Sequence, residues 1–289
     1  MSDGPFTTVS YSQPGTGDLS LDLFRPEINS RHCAVLIFHG GGWRAGAKET
    51  VHHQAAALAA EGFTGVAVQY RLLDTAPWPA QLADTRDALS WVRANAAELC
   101  IDPARVVAQG HSAGAHLALM VGTIAKEERP AAIVAYYPAT GFYAAEPPKP
   151  GGAEAPPARP SLELDAQGRI PSWMLFPPGT DDAELTAASP ILLADAAFPP
   201  TILFHATRDS VIGPEASIAL HRRLSSLGVP ADLHVYAARD HGFDLAPSML
   251  AATVRATKSF LERTVTNRPE LDEEADQFSF LRLLQTQAG

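Results

Sequence analysis

The chain has 289 residues, of which 46% are hydrophobic and 19% charged, and it carries a formal net charge of −10. This composition is typical of a soluble globular protein that is long enough for one large α/β domain. The acidic balance argues against nucleic acid or an anionic membrane surface as a partner, because no basic stripe is available to neutralise phosphates.

Signals for targeting and for metal binding are absent from the sequence. The segment Met1–Pro5 is not a basic region followed by an apolar run, and no stretch of about 18 apolar residues occurs. The two cysteines, Cys33 and Cys100, do not have the spacing of a metal site. We therefore expect a cytoplasmic protein with reduced thiols, no membrane span, no metal and no cofactor.

The first half of the chain alternates strand-like and helix-like patterns. An alternating run at 19–24 predicts a half-buried strand, and the continuously apolar run 34–38 predicts a strand covered on both faces. Further along, the pattern predicts helices at 54–61 and 81–99 and a strand at 66–70. A glycine-rich segment, His39–Trp43, directly follows the second strand.

The segment Gly110–Gly114 has the pattern G-x-S-x-G and lies between a strand-like run at 105–109 and a helix-like run at 115–120. A serine on a sharp turn between strand and helix exposes its Oγ above the sheet, and small neighbours permit the strained backbone that this turn requires. Ser112 is therefore the candidate nucleophile.

The second half of the chain continues the alternation, with predicted strands at 131–137, 201–205 and 233–236 and a helix at 214–227. Strands that alternate with helices indicate βαβ units, so we expect an α/β fold with a mostly parallel central sheet flanked by helices. We interpret 1–289 as one domain.

Two segments depart from the alternation. Residues 141–189 contain nine prolines and little periodicity, which predicts an inserted, lid-like segment, although a surface insertion without a role stays open. The tail 269–289 has an acidic patch followed by apolar residues, and docking as a helix or pairing in a homodimer both stay open.

A serine nucleophile needs a base and a group that orients the base. Among the histidines after Ser112, His241 lies in a loop that follows a strand, where a catalytic base is expected. Asp209 follows the strand 201–205 and is the candidate acid, because catalytic groups gather at the carboxyl ends of strands in open α/β sheets. Asp195 has no strand to fix it, and Asp240 is too close to His241 to orient its ring.

The glycine-rich segment His39–Trp43 fits an oxyanion hole, since glycines let backbone N–H groups approach a negative oxygen closely. Gly41 and Gly42 would supply two donors, and Ala113, the residue after the serine, would supply another. A phosphate loop and a dinucleotide-binding loop are both excluded here, because neither fingerprint is present.

Together these motifs, with Tyr70–Leu72 and Ile101–Pro103, resemble the α/β-hydrolase superfamily over about 18–263. More narrowly, the chain resembles the hormone-sensitive-lipase-like esterases and the acetyl esterases and feruloyl or acetylxylan esterase-like enzymes. The resemblance implies that Ser112 is the nucleophile, His241 the base and Asp209 its partner. It also implies that Gly41, Gly42 and Ala113 are the oxyanion donors. The chain lacks the long N-terminal helical cap of larger members, so the ester specificity is not implied.

The leading hypothesis is a carboxylesterase that cleaves small, short-chain acyl esters through an acyl-enzyme. Two alternatives stay open. One is an arylformamidase acting on N-formylkynurenine, because such enzymes have a similar compact form and glycine-rich loop. The other is a non-catalytic binding module on a hydrolase fold, against which the complete Ser–Asp–His set argues.

Overall fold

The computed structural model describes residues 5–13, 15–147, 162–267 and 273. Within them the strands are β1 (Thr7–Ser10), β2 (Ser20–Phe24), β3 (Ala34–Phe38), β4 (Thr64–Val68), β5 (Val106–His111), β6 (Ile133–Tyr136), β7 (Phe142–Tyr143), β8 (Ile170–Pro171), β9 (Thr201–Ala206) and β10 (Ala231–Tyr236). The helices are α1 (His52–Ala60), α2 (Ala80–Ala94), α3 (Ala96–Leu99), α4 (Ala113–Met120), α5 (Asp182–Ala187), α6 (Pro190–Leu193), α7 (Glu215–Ser226) and α8 (Pro247–Leu261).

Eight of these strands form one sheet in the order β1-β2-β4-β3-β5-β6-β9-β10. The strands from β4 to β10 in this order pair in parallel, and only β1 and β2 at one edge pair antiparallel. This arrangement confirms the predicted α/β fold with a mostly parallel sheet. Because the carboxyl ends of parallel strands meet at one edge of a sheet, the loops after β3, β5, β9 and β10 gather there.

Both faces of the sheet are covered, as the continuously apolar strand β3 requires. Leu36 and Phe38 belong to one apolar core and Val35 and Ile37 to a second core, because successive side chains of a strand point to opposite faces. The first core also contains apolar residues of α2, α4 and α7, whereas the second contains apolar residues of α1 and α8. The sheet is thus the middle of three layers.

Some elements differ from the sequence predictions. The predicted helix at 81–99 is interrupted at Asn95, whose side-chain amide donates to the carbonyl of Trp91, so that α2 and α3 are separate. The helix α8 has no counterpart in the predictions, because Thr253 and Thr257 are buried and dilute its apolar pattern. Strand β1 was also missed, since its side chains are mostly exposed and show no alternation.

The described part of the segment 141–189 contains the short parallel pair of β7 with β8 and the helix α5. Residues 148–161 of this segment lie outside the described residues. The tail 269–289, with the exception of Glu273, also lies outside them. The lid-like role of the insertion and the docking or pairing of the tail therefore stay predictions.

A buried ion pair joins the antiparallel edge to the segment before α1. Asp22 is fully buried in β2 and accepts hydrogen bonds from Lys48 Nζ at 2.5 Å, His52 Nε2 at 2.8 Å and Thr8 Oγ1 at 2.6 Å. Burial alone would raise the pKa of Asp22, but the hydrogen bonds from Lys48, Thr8 and His52 outweigh it and hold that pKa below its usual value. The carboxylate is therefore the stable form in the folded protein.

This ion pair predicts a pH-dependent stability. A carboxyl group with a lowered folded pKa stabilises the protein above its unfolded pKa of about 4, and this contribution disappears as the pH falls. Asp22→Asn leaves Lys48 without its buried partner and should lower the unfolding free energy at pH 7 by on the order of 3 kcal/mol. Urea unfolding should show that the difference between wild type and variant shrinks from pH 5 to pH 2. A difference that stays constant over this range would contradict the assignment.

Candidate active site

Ser112 lies on the sharp turn between β5 and α4. Its backbone has φ of 53° and ψ of −115°, a left-handed conformation that is uncommon for a residue with a side chain. Its N–H donates to the carbonyl of Tyr136 at 2.9 Å, and its own carbonyl accepts from the N–H of His116 at 3.0 Å. The turn is therefore held by the neighbouring strand on one side and by the helix on the other.

The glycines of the G-x-S-x-G pattern are required by close backbone packing. A Cβ atom at Gly114 would lie 2.0 Å from the carbonyl oxygen of Phe38, and one at Gly110 would lie 2.1 Å from the carbonyl oxygen of Gly114. Neither backbone neighbour can withdraw as a flexible side chain would. The first turn of α4 is thus packed directly against the end of β3.

His241 and Asp209 come from the loops after β10 and β9, and they are hydrogen-bonded to each other. His241 Nδ1 lies 2.8 Å from Asp209 Oδ2 and 3.0 Å from Oδ1. This leaves Nε2 of the imidazole as the nitrogen that is available for proton transfer. His241 and Ser112 both line one cavity at the carboxyl edge of the sheet.

The carboxylate of Asp209 is buried and held by several donors. Its Oδ1 accepts from the N–H groups of Val211 and Ile212 at 2.9 Å each, and His205 Nε2 lies 3.4 Å from Oδ2. Burial alone would raise the pKa of Asp209, but hydrogen bonding by His205 and His241 outweighs burial and holds that pKa well below its usual range. Asp209 is therefore an anion at neutral pH and can accept a hydrogen bond from the Nδ1–H group of His241.

The glycine-rich segment after β3 curves over Ser112. Gly41 has φ of 121° and Gly42 has φ of 60°, and a Cβ atom at Gly41 would lie 2.0 Å from the carbonyl oxygen of Ala45. The carbonyl of His39 accepts a hydrogen bond from the hydroxyl of Tyr70 at 2.8 Å, which anchors the segment to β4's end. Within the described part of the chain, no protein acceptor is bonded to the N–H groups of Gly41, Gly42 or Ala113.

The cavity has a volume of 510 Å³ and contains most of the predicted site residues. Gly41, Gly42, Ser112 and His241 line it, whereas Ala113 is buried beside it and Asp209 lies behind His241. The opposite wall is apolar and comes from the insertion and from the turn after Asp209. Its side chains are Leu162, Ile170, Met174, Val211 and Ile212.

The acidic residues set aside in the sequence analysis lie elsewhere or have other contacts. Asp195 forms a bidentate ion pair with Arg129 at the surface, with 53% of its side chain exposed. Asp240 accepts from the N–H groups of Ser210 and His241, so it shapes the loop and does not contact the imidazole nitrogens through these bonds.

Sequence reasoning missed three residues around the site. His205, assigned only to an apolar strand, is buried and contacts Asp209. Tyr137 packs its ring against His241 at 4.3 Å between centroids, and Asp244 is buried at the cavity wall. Tyr137 directly follows a strand and Asp244 lies three residues after His241, which were the available signals.

The residues that the structure describes form neither a metal-binding cluster nor a membrane-spanning helix. No group of three or more His, Cys, Asp or Glu side chains among them is arranged to hold a metal ion. None of the helices in the described ranges has the length and apolar character needed to cross a bilayer.

Comparison with known proteins gives matches over most of the chain. The family model BD-FAE matches residues 21–224. Carboxylesterase NlhH of Mycobacterium tuberculosis is 29% identical over 260 residues, which cover 86% of this chain and 78% of NlhH. The probable carboxylic ester hydrolase LipM of the same organism is 28% identical, over 88% of this chain and 60% of LipM.

Among solved structures, a thermophilic esterase of Thermogutta terrifontis superposes with a TM-score of 0.72 and 25% sequence identity. The match covers 91% of this chain and 93% of that chain. The same esterase with bound propionate also gives a TM-score of 0.72 at 25% identity, over 91% of this chain and 95% of that one.

Proposed function

This chain belongs to the BD-FAE family, and from that premise and the geometry of the cavity we propose that it is a serine carboxylesterase for small, uncharged esters of short-chain acids. The observation that carries the proposal is the hydrogen bond between His241 and Asp209, with His241 lining the same cavity as Ser112. A nucleophile, a base and an orienting carboxylate are the groups that acyl transfer through a serine requires.

The first half of the reaction forms an acyl-enzyme. Ser112 Oγ attacks the ester carbonyl carbon while His241 Nε2 takes the hydroxyl proton, and Asp209 stabilises the resulting imidazolium through Nδ1. The N–H groups of Gly41, Gly42 and Ala113 would bind the oxyanion of the tetrahedral intermediate. His241 then gives its proton to the alkoxide oxygen as the C–O bond breaks, and the alcohol leaves.

The second half releases the acid. A water molecule loses its proton to His241 Nε2 and attacks the acyl carbonyl carbon, which again forms an oxyanion in the same place. When this intermediate collapses, His241 returns the proton to Ser112 Oγ and the carboxylic acid leaves. Each group is thereby restored to its starting state.

The walls of the cavity support a small and uncharged substrate. Leu162, Ile170, Met174 and Ile212 present apolar surface, and an unpaired charge on the substrate would be desolvated against them. A volume of 510 Å³ lies within the range of about 300–1,000 Å³ for small-molecule sites. The two M. tuberculosis relatives are named a carboxylesterase and a probable carboxylic ester hydrolase, and the T. terrifontis esterase was solved with bound propionate, a three-carbon acid. These names favour an ester over an aryl formamide as the substrate.

A panel of p-nitrophenyl esters tests the substrate class. We expect kcat/KM to be highest for acetate to butyrate and to fall by at least about tenfold for laurate, because a long acyl chain does not fit the cavity. A tenfold fall corresponds to a loss of about 1.4 kcal/mol of transition-state stabilisation. A clear optimum at long chains would contradict the proposed small cavity. Turnover of an aryl formamide faster than of every ester would favour the arylformamidase alternative.

Adjacent side chains of the insertion provide a matched pair of variants. Met174 lines the cavity that contains Ser112, whereas Trp173 lines a separate cavity. Met174→Ala should raise the relative activity on longer esters, and Trp173→Ala should leave the chain-length profile unchanged. The same shift in both variants would show that the profile does not depend on this wall.

We also propose a reducing, cytoplasmic location. Both cysteines are free, Cys33 being buried and Cys100 exposed. Free exposed thiols persist in reducing compartments, which supports the expectation from cysteine usage.

A further inference from the structure

A second buried carboxylate lies beside the triad residues. Asp244 is 1% exposed and belongs to a single 3-10 turn, Phe243–Leu245, that begins two residues after His241. Asp209 already occupies Nδ1 of His241, so Asp244 has no part in orienting the base by a direct hydrogen bond.

The partners of Asp244 come from three separate elements. Tyr137, after β6, donates its hydroxyl to Oδ1 at 2.5 Å, and Gln54 of α1 donates its amide to Oδ2 at 3.1 Å. His111, the last residue of β5, has its Nε2 3.2 Å from Oδ2. Burial alone would raise the pKa of Asp244, but the nearby His111 and the bonds from Tyr137 and Gln54 hold that pKa well below its usual range.

These partners occupy both oxygens of a carboxylate that is almost inaccessible, although Asp244 forms part of the cavity wall. Recognition of a cationic substrate would need at least one free and exposed oxygen. The carboxylate is therefore engaged with the protein, and its effect is exerted through the groups that it holds.

Tyr137 is the first of those groups. Its ring centroid lies 4.3 Å from that of His241, with an angle of 51° between the planes, so it forms one side of the space in which the imidazole sits. Its backbone has φ of 40°, a strained value for an aromatic residue. The hydrogen bond to Asp244 fixes the far end of the ring and keeps this conformation in place.

His111 is the second group that Asp244 holds. It directly precedes Ser112 in the chain, and its ring stacks on Tyr136 at 4.6 Å, the residue whose carbonyl accepts from the Ser112 N–H. Asp244 thus belongs to the segment that carries the base, and it contacts the last residue of the strand that leads to the nucleophile.

We propose that Asp244 is a positioning residue for ester hydrolysis, which sets the separation of Ser112 and His241 by holding Tyr137 against the imidazole and His111 at the end of β5. The proposal rests on the proposed esterase function. A displacement of about 1 Å between reacting groups is enough to reduce a rate about 100-fold. Both carboxylate oxygens of Asp244 are engaged with the protein, so we expect its loss to appear in kcat.

The test compares Asp244→Asn and Tyr137→Phe with the wild type on p-nitrophenyl acetate. Each variant should lower kcat by about 10- to 100-fold and leave KM within about twofold. Tyr137→Phe retains the ring and removes only the hydroxyl, so it carries the test if Asp244→Asn does not fold. Because both changes disrupt the same hydrogen-bonded cluster around Asp244, their losses should not multiply in the double variant.

Asp22→Asn is the matched control, since it also removes a buried, hydrogen-bonded carboxylate, but at the antiparallel edge of the sheet. It should lower stability and leave kcat of the folded enzyme unchanged. An unchanged kcat in Tyr137→Phe, or independent and multiplying losses in the double variant, would overturn the positioning role. If Ser112→Ala kept the turnover of the wild type, the esterase proposal would be refuted instead. The two failures are therefore distinguishable.

Discussion

Ser112→Ala should lower kcat for p-nitrophenyl acetate by on the order of 10⁶-fold, the scale seen when the nucleophile of a serine hydrolase is removed. The turn itself should survive. Alanine keeps the Cβ atom that the strained φ of 53° already accommodates, and the N–H bond to Tyr136 is made by the backbone. The variant is therefore expected to unfold at the same urea concentration as the wild type.

Labelling with an organophosphonate gives a second readout of the same residue. The wild type should gain one covalent adduct, and peptide mass spectrometry should locate it on Ser112, whereas Ser112→Ala should not be labelled. Ser226→Ala, a change at an exposed serine of α7, is the matched control and should keep both activity and labelling. Normal turnover in Ser112→Ala would refute the nucleophile assignment.

Asp209→Asn should lower kcat by about 10⁴-fold, because an amide favours the wrong tautomer of its histidine partner. The asparagine Oδ1 can still accept from the N–H groups of Val211 and Ile212, so Nδ2 is turned toward His241 Nδ1. An amide donor there requires Nδ1 to accept, which places the imidazole proton on Nε2, where the base must be free. The loss should appear in kcat with little change in KM.

Asp195→Asn is the control for this change, since Asp195 also follows Ser112 in the chain but does not contact His241. It pairs with Arg129 on the surface, and such pairs contribute about 0–1 kcal/mol to stability. Activity should stay at the wild-type level. Equal losses in both variants would move the acid away from Asp209.

Local patterns were sufficient to predict the fold class. Parallel strands that are buried on both faces have continuous apolar sequences such as 34–38. The alternation of these strands with helices indicates a mostly parallel sheet. The candidate nucleophile, base and acid could be selected for the same reason, since each follows a predicted strand whose carboxyl end faces one edge of the sheet.

The surroundings of these residues could not be predicted, because they depend on contacts between distant parts of the chain. Asp244 is hydrogen-bonded to Gln54, which is 190 positions away in the sequence, and to Tyr137, which is 107 positions away. Nothing local distinguishes such a carboxylate from a loop aspartate. His205 was predicted to lie in a strand, and its contact with Asp209 arises from the turn that brings residue 209 back toward it.

The walls of the cavity differ in how freely their sequences can diverge. Where the turns around Ser112 meet β3, backbone packs on backbone, and Gly41, Gly110 and Gly114 have no room for any other side chain. The facing wall is made of side chains such as Leu162, Met174 and Ile212, for which apolar exchanges of similar volume are tolerated. Substitutions on that wall can therefore alter the shape of the cavity while the backbone packing around Ser112 stays intact.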